Sequence, residues 1–323
     1  MNRPPVSPAS IDLAAEASDR LRGTRQTEIP GVTETVTRCG TLTRRDIRIE
    51  TPKGASLLQR PMGSYITLTT PPLYGSDPAL SALAAQAIAD ILPALIAEKT
   101  DLAPTDGVIF VGLGNRFAAA DSLGPRFIDH CPVTRPYLAA ASEMSEGCTL
   151  RPSSALAPGV LGLTGLEAFD IVRGAVEAAR PALLLAVDAL CAQRTERIGC
   201  TIQLSNTGIR PGSGLGNHRK AFNQETLGIP VISIGCPTIV QASVIASQLA
   251  EALARCSGQS FPPEAAEAAA KEVFSFCEAQ LAVTPKDIEA LSDHAARIIA
   301  DGVKQALFPA VPSEELALYV PTN

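Results

Sequence analysis

The chain has 323 residues, of which 46% are hydrophobic and 19% are charged, and its formal net charge is −6. This length allows one large domain or two modest ones, and the apolar content is sufficient for a packed core, which excludes a disordered chain. The acidic balance argues against a general nucleic-acid binder or a protein that binds anionic membranes, because both need a basic surface.

The cysteines and the uncharged segments indicate a soluble protein of a reducing compartment. Cysteine is sparse and no CxxC pair occurs, which argues against a structural zinc site or a redox pair. The first 20 residues lack the apolar segment of a signal peptide, so we expect none. The uncharged run 226–250 is long enough to span a membrane, but it contains Pro and Gly, so a buried strand, a turn and a helix explain it better.

Residues 31–75 predict antiparallel strands. The segment VTETVTRCGTLTRRDIRIET alternates β-branched and polar residues, and SYITLTT does so again. This alternation is typical of strands with one face buried and one face in solvent. The segments GVTETVT and RRDIRIE predict a hairpin.

From residue 76 onward, buried strands alternate with helices. Short apolar runs predict strands at Gly107–Leu113, Ala182–Val187, Thr201–Leu204 and Pro230–Ile234. Apolar residues at helical spacing predict helices at Leu80–Lys99, Leu166–Ala179, Ser243–Cys256, Pro263–Gln280 and Asp287–Leu307. This order predicts an α/β fold with a mostly parallel sheet, helices on both of its faces and an N-terminal β-rich extension.

The first candidate site residue follows the first of these buried strands. In VGLGNRFAAADSLGP, Phe117 stands where a dinucleotide-binding fingerprint needs its third glycine, and no Walker motif is present. Asp121 follows the carboxyl end of the strand, which is where open α/β sheets bind their ligands. Gly114 and Asn115 lie in the same turn and are candidates for substrate or oxyanion contacts.

Asp188 is the second candidate, and two interpretations of it stay open. It comes directly after the apolar run Ala182–Val187. A lone Asp at that point is more often the N-cap of a following helix. If its strand neighbours the strand before Asp121, however, both carboxyls lie at one edge of a parallel sheet and share a crevice.

A glycine-rich loop follows the third buried strand, in TIQLSNTGIRPGSGLGN. Such a loop offers backbone N–H groups and allows a bound chain or anion to approach closely. The candidates for oxyanion or substrate contacts here are Gly208, Gly212, Gly214, Gly216 and Asn217. Ser213 lacks the context of a nucleophile elbow, and the three histidines lack a metal-binding spacing.

Several motifs in order resemble the germination protease family of bacterial spores, the endopeptidases that degrade small acid-soluble spore proteins. They are IDLAAE, VGLGN, ADSLGP, VTR, APGVLGLTGLE, DALCAQR, TIQLSNTGIRPGSGLGN and TLGIPVISIGCPT, which lie within residues 11–310. The resemblance implies an atypical aspartic peptidase without metal or cofactor, with Asp121 and Asp188 as its catalytic pair. It also implies a phosphorylase/hydrolase-like fold similar to that of hydrogenase-maturation peptidases.

The resemblance further implies a zymogen that removes a propeptide next to Asp12, after Ile11, and that assembles as a homotetramer in the cytoplasm of the spore core. Its substrates would be the spore proteins, with no direct contact to nucleic acid or membrane. We therefore expect a propeptide at 1–11, a β-rich segment at 12–78, an α/β catalytic domain at 79–310 and a tail at 311–323. Asn206 and Gln241 depart from the family pattern, which has acids there.

Two other interpretations remain from the residues alone. A metal-dependent peptidase of the hydrogenase-maturation type would use Asp121 and Asp188 as oxygen ligands of a divalent cation. A protein without proteolytic activity would bind a phosphate or nucleotide on its glycine loops. For a peptidase, the two carboxyls would share one proton, because both ionise together only at high cost. The sequence does not indicate which of them holds it.

Overall fold

The computed structural model describes residues 12–25, 28–75, 77–141, 150–212, 219–258 and 281–321, together with residues 265, 268–269 and 272–274. A sheet of nine strands forms its centre. In chain order the strands are β1 (Val32–Cys39), β2 (Leu42–Ile49), β3 (Gly63–Thr69), β4 (Val108–Gly112), β5 (Ser153–Leu156), β6 (Leu183–Ala192), β7 (Thr201–Ser205), β8 (Val231–Gln241) and β9 (Ala282–Val283). Across the sheet the order is β1-β2-β3-β7-β8-β6-β4-β5, and β9 pairs with β8.

Helices connect and cover these strands. In chain order they are α1 (Ala14–Arg25), α2 (Pro52–Leu58), α3 (Pro78–Ala97), α4 (Leu123–Ile128), α5 (Arg135–Ala141), α6 (Leu161–Thr164), α7 (Ala168–Ala179), α8 (Gln224–Leu227), α9 (Ala242–Ser257), α10 (Ile288–Leu307) and α11 (Ser313–Ala317). The helix predicted at Pro263–Gln280 falls largely outside the described residues.

The parallel half of the sheet consists of β5, β4, β6 and β8. Side chains of α3, α4 and α10 cover one of its faces, and α7 covers the other. Because both faces are buried, these strands need apolar residues at every position, which explains the continuous runs in the sequence. The prediction of helices on both faces is confirmed for this half.

The prediction of a mostly parallel sheet is wrong for the molecule as a whole. Strands β1, β2, β3 and β7 are antiparallel to their neighbours, and β7 is also antiparallel to β8. The connection from Ala192 to Thr201 is too short for the crossover that a parallel strand requires, so β7 returns in the opposite direction. The sheet is therefore mixed, and likeness to hydrogenase-maturation peptidases stays a prediction.

The N-terminal strands continue this same sheet. The predicted hairpin is confirmed, with β1 paired to β2 from Val32 opposite Ile49 to Cys39 opposite Leu42. Strand β3 then joins β7 through an antiparallel ladder. A separate apolar cluster packs α1 and α2 against β2 and β3. The domain boundaries stay a prediction.

Two apolar segments long enough to cross a membrane are part of the fold. Among the described residues, α3 is the one helix that is long and apolar enough to cross a membrane by length and composition. Its residues Ile88, Leu92 and Leu95 are buried in the main core, which α10 shares. The uncharged run 226–250 forms the end of α8, strand β8 and the start of α9, and β8 continues into α9 without the expected turn.

Candidate functional site

Asp121 lies in a turn that a glycine makes possible. Strand β4 ends at Gly112, and the chain then turns back so that Gly114 has a φ of +112°. A Cβ at Gly114 would lie 2.2 Å from the main-chain oxygen of Asp121, so only glycine fits there. The N–H of Asn115 donates to Asp121 Oδ2 at 2.9 Å and to the main-chain oxygen of Asp121 at 2.9 Å. The glycine thus brings a backbone donor onto the carboxyl.

Three hydroxyl groups fix this turn from separate elements. Ser122 Oγ donates to the carbonyl of Ala119 at 2.8 Å, and Ser292 Oγ of α10 donates to the same oxygen at 3.3 Å. Thr238 Oγ1 of β8 donates to the carbonyl of Ala120 at 2.6 Å. The position of Asp121 is therefore coupled to β8 and α10 as well as to β4.

Asp188 lies within β6 and does not cap a helix. The strand continues beyond it to Ala192, so the N-cap interpretation is wrong. It points to the same face of the sheet as Leu184 and Ala186, because side chains alternate along a strand. On this face it is 5% exposed, and its Oδ1 accepts a hydrogen bond from the N–H of Ala189 at 2.9 Å.

The structure places Asp188 on β6 and Asp121 in a short 3-10 turn after β4, which is the parallel neighbour of β6. Gly112 at the end of β4 is in register with Val187 of β6, the residue before Asp188. Burial raises the pKa of Asp188 well above its usual range, and the nearby charges of Asp121 and Asp12 raise it further. Burial also raises the pKa of Asp121, while the N–H of Asn115 and the charge of Arg219 oppose this shift. Arg219 also opposes the shift of Asp188.

A cavity of about 210 Å³ opens beside Asp188. Its walls come from strands β3, β6, β7 and β8, from the loop after β7 and from the segment after α2. The lining side chains include Asp12, Arg60, Tyr65, Asp188, Gln203 and Arg210.

Only some of the predicted site residues line this cavity. Gly208 and Gly212 line it together with Asp188, and Asp12 lies on its wall. Gly114 and Asn115 contact Asp121, and these three residues are not among those that line the cavity. The remaining predicted residues lie outside the described residues: Ile11, Gly214, Gly216 and Asn217.

The segment beginning at Asp12 binds along the cavity wall. The Gln203 amide nitrogen donates to the carbonyl of Asp12 at 3.0 Å, and the N–H of Ala14 donates to Gln203 Oε1 at 2.7 Å. The carboxylate of Asp12 accepts a hydrogen bond from the N–H of Cys191 at 2.9 Å. The side-chain amide of Gln203 therefore pairs with one carbonyl and one N–H of the main chain that leads into α1.

The sequence analysis missed Gln203, Arg60 and Arg219. Gln203 had a usable signal, because a polar residue in the buried strand TIQLS must have a partner or a role. Arg60 follows a short helix in a polar segment and carries no pattern that distinguishes it from a surface residue. Arg219 lies beside the glycine loop, and only the fold shows that its charge acts on both aspartates.

Two further features of the described chain concern ligand binding. No group of three or more His, Cys, Asp and Glu side chains that could hold a metal is found among the described residues. A wider hollow of about 470 Å³, lined by residues that include Arg48, Glu98 and Asn206, contains neither aspartate. Glu98 there accepts hydrogen bonds from Ser64 and Asn206, so its polar groups are satisfied within the protein.

Comparison with known proteins decides the family. The family model described as germination protease matches residues 9–268. The chain belongs to the germination protease family. The germination protease of Caldanaerobacter subterraneus subsp. tengcongensis is 37% identical over 94% of this chain and 96% of its own length. Those of Clostridium tetani and Bacillus subtilis are 34% and 32% identical, over 96% and 95% of this chain and 98% and 95% of their own lengths.

Membership of the germination protease family makes the chain a protease, with proteins as its substrates. The match covers both aspartates, the turn at Gly114 and the wall formed by Asp12 and Gln203. The cavity beside Asp188 is therefore the candidate active site of this family member.

Proposed function

We propose that this germination protease is an endopeptidase in which Asp121 and Asp188 activate a water molecule against a peptide bond. The observation that supports this proposal is the burial of Asp188 on the wall of a cavity, within range of the charge of Asp121. Two carboxyls of different pKa provide the base and the acid that peptide hydrolysis needs.

The surroundings of the two carboxyls assign the shared proton to Asp188. Its pKa is raised by burial and by two negative neighbours, and a single backbone N–H and Arg219 oppose these effects. Asp121 is less deeply buried, and its ionised form accepts the N–H of Asn115. A hydrogen bond to the charged form stabilises that form. Asp121 is therefore the ionised partner.

The reaction then follows from this assignment. The Asp121 carboxylate takes a proton from water, and the resulting hydroxide attacks the carbonyl carbon of the substrate. Protonated Asp188 donates a hydrogen bond to the carbonyl oxygen, which stabilises the negative charge that develops there. When the C–N bond breaks, the proton taken up by Asp121 passes to the leaving amine, so that the pair regains its starting state.

We further propose that the chain processes itself between Ile11 and Asp12. Asp12 lies on the wall of the same cavity as Asp188, and Gln203 binds its main chain, which supports a cleavage site next to Asp12. The natural substrates would be small acid-soluble spore proteins in the spore core, and the enzyme would be a homotetramer. Exposed Leu249 and Leu253 on α9 provide an apolar surface for contacts between subunits. A measurement of the molecular mass of the protein in solution tests whether it is a tetramer.

Single substitutions of the two aspartates test the mechanism. Asp121→Asn and Asp188→Asn should each lower the rate of cleavage of purified spore proteins by at least about a hundredfold, because general acid–base catalysis contributes that much or more. Both variants should also fail to generate the new N-terminus at Asp12, which N-terminal sequencing of the incubated chain reads directly.

A matched control and a chelator complete this experiment. Asp301→Asn removes an exposed carboxylate on α10 and should leave both activities unchanged. Wild-type activity in either active-site variant would contradict the proposed pair. Loss of wild-type activity in a chelator, with recovery on adding a divalent cation, would instead support the metal-dependent interpretation.

A further inference from the structure

Thr238 is a polar side chain among the apolar residues of β8. The strand buries Cys236 and Val240 in the main core, and Thr238 lies between them with 1% of its surface exposed. A buried hydroxyl without a hydrogen bond costs free energy, so a threonine at this place needs a partner. Its partner is the carbonyl of Ala120, which accepts from Thr238 Oγ1 at 2.6 Å.

A β-bulge in β8 gives this hydroxyl its direction. In the ladder with β6, Pro237 and Ile239 face consecutive residues of that strand, so Thr238 between them is the one extra residue of β8. A bulge bends its strand and re-aims a side chain, and bulges are frequent next to active sites. The carbonyl of Thr238 accepts a hydrogen bond from Thr284 Oγ1 at 2.9 Å. The residue that follows β9 therefore holds the bulge in place.

The hydroxyl of Thr238 acts directly on the turn that carries Asp121. Ala120 immediately precedes Asp121, and in this turn the N–H of Asn115 donates to the Asp121 carboxyl at 2.9 Å. If a methyl group replaced the hydroxyl, the carbonyl of Ala120 would lose this donor and face an apolar side chain, so the turn would move away from β8. Such a movement weakens the hydrogen bond from Asn115 to the carboxyl.

We propose that Thr238 is a positioning residue for Asp121: its hydroxyl fixes the preceding carbonyl from the bulge of β8 and thereby keeps the carboxyl on the N–H of Asn115. This inference rests on the proposed function and extends it to a residue that does not line the cavity. It gives the bulge of β8 a role in catalysis, although Thr238 itself touches no substrate.

The charges around Asp121 are unaffected by the hydroxyl. Arg219 lowers the pKa of Asp121, and the charges of Asp121 and Asp188 act on each other. Thr238 and Ser292, which face the turn from β8 and α10, are uncharged. Replacement of Thr238 therefore changes the ionisation of Asp121 through the backbone donor alone. Because a hydrogen bond to the ionised carboxyl lowers its pKa, loss of that bond raises it.

The inference is tested by removing the hydroxyl while keeping the shape of the side chain. Thr238→Val should lower kcat for a purified spore protein by about tenfold or more, because a small misplacement of a catalytic group is costly. KM should stay nearly unchanged, since the cavity keeps its lining. The acidic limb of the pH profile of kcat should move upward by about one pH unit, the effect of one hydrogen bond to a charged group. Thr238→Ser keeps the hydroxyl and should retain most of kcat and the wild-type profile.

Thr134→Val is the matched control for stability. Thr134 is equally buried, and its hydroxyl donates to the carbonyl of Arg151. This variant should be destabilised but keep kcat and the pH profile. A carbon-13 titration of carboxyl-labelled aspartate, with the signal of Asp121 assigned from its absence in Asp121→Asn, measures the same effect without cleavage. The pKa of Asp121 should rise in Thr238→Val and stay at the wild-type value in Thr134→Val.

The outcomes are distinct. A Thr238→Val chain with wild-type kcat and an unchanged pKa of Asp121, or a Thr238→Ser chain as impaired as Thr238→Val, overturns the assignment of Thr238 and leaves the aspartate pair intact. A wild-type chain that cleaves no spore protein overturns the proposed function, and the titration alone then decides whether Thr238 positions Asp121. If Thr238→Val does not fold, Thr284→Val replaces it, because Thr284 is exposed and its loss releases the bulge; an unchanged pKa of Asp121 in that variant overturns the assignment.

Discussion

Gly114 connects the backbone of the turn after β4 to the position of the Asp121 carboxyl. Its positive φ and its close approach to Asp121 are both requirements that a side chain would violate. The donor on Asp121 is the N–H of the next residue, Asn115, so any movement of the turn changes the environment of the carboxyl. The turn that Gly114 permits thus supplies the N–H that opposes the effect of burial on the pKa of Asp121.

Substitution of Gly114 therefore has a specific expected effect. Gly114→Ala must displace the backbone of Asp121, and it should lower both the activity and the free energy of unfolding, the latter by about 1–3 kcal/mol. Gly165 is the matched control, since its φ is +72° but a Cβ there would meet nothing within 4 Å. Gly165→Ala should cost about 1 kcal/mol of backbone strain and leave activity unchanged. The cleavage activity and the urea unfolding curve are measured for both variants. Equal activities of the two variants would contradict the role of Gly114 in positioning Asp121.

Helix α1 is attached to the site through a buried acid. Glu16 is 4% exposed, accepts two hydrogen bonds of 3.0 Å from the N–H of Gln193, and lies 3.4 Å from Nε of Arg197. Burial raises the pKa of Glu16 to about 7, against the opposing effects of Gln193 and Arg197. The helix follows directly on Asp12, so the state of Glu16 affects how firmly the N-terminal segment is held.

The raised pKa of Glu16 predicts a pH-dependent stability. The folded protein binds a proton at Glu16 that the unfolded chain, with the usual value of 4.5, has released. The contribution of Glu16 to stability is therefore greatest below pH 4.5 and is lost as the pH rises through 7, by about 3 kcal/mol at most. Glu16→Gln carries a neutral side chain at every pH and should lack this dependence. The unfolding free energy of the wild type should therefore fall relative to that of the variant as the pH rises across this range; a difference that does not change with pH would contradict the assignment.

Hydrogen bonds between β3, the end of β7 and the end of α3 hold Asn206, where the sequence analysis expected an acid. Asn206 follows β7, and its amide donates to Glu98 at 2.7 Å while its oxygen accepts the N–H of Ser64 at 2.9 Å. An acid at this position would lose the donor and place a second negative charge against Glu98. The departure is thus satisfied within the protein and lies in the hollow away from the aspartates. It changes no group of the candidate site.

The parallel half of the sheet could be predicted from the sequence, whereas the antiparallel half could be predicted only in part. Strands that are buried on both faces appear in the sequence as apolar runs. The motif of Asp121 follows the end of β4, and the motif of Asp188 lies within β6. The ladder between β3 and β7 joins segments more than 130 residues apart, and local patterns carry no information about such a pairing. The cavity wall of Arg60 and Gln203 depends on that ladder, which is why these residues were missed.

We propose that the fold holds a protonated Asp188 near an ionised Asp121. Carbon-13 NMR of carboxyl-labelled aspartate, recorded as a pH titration of the wild type and of both Asn variants, measures these two ionisation states. One aspartate should remain protonated after ordinary aspartates have ionised, its signal should be absent in Asp188→Asn, and its pKa should fall in Asp121→Asn because a nearby negative charge is lost. An Asp188 that ionises with the other aspartates, or that does not respond to Asp121→Asn, would contradict the account.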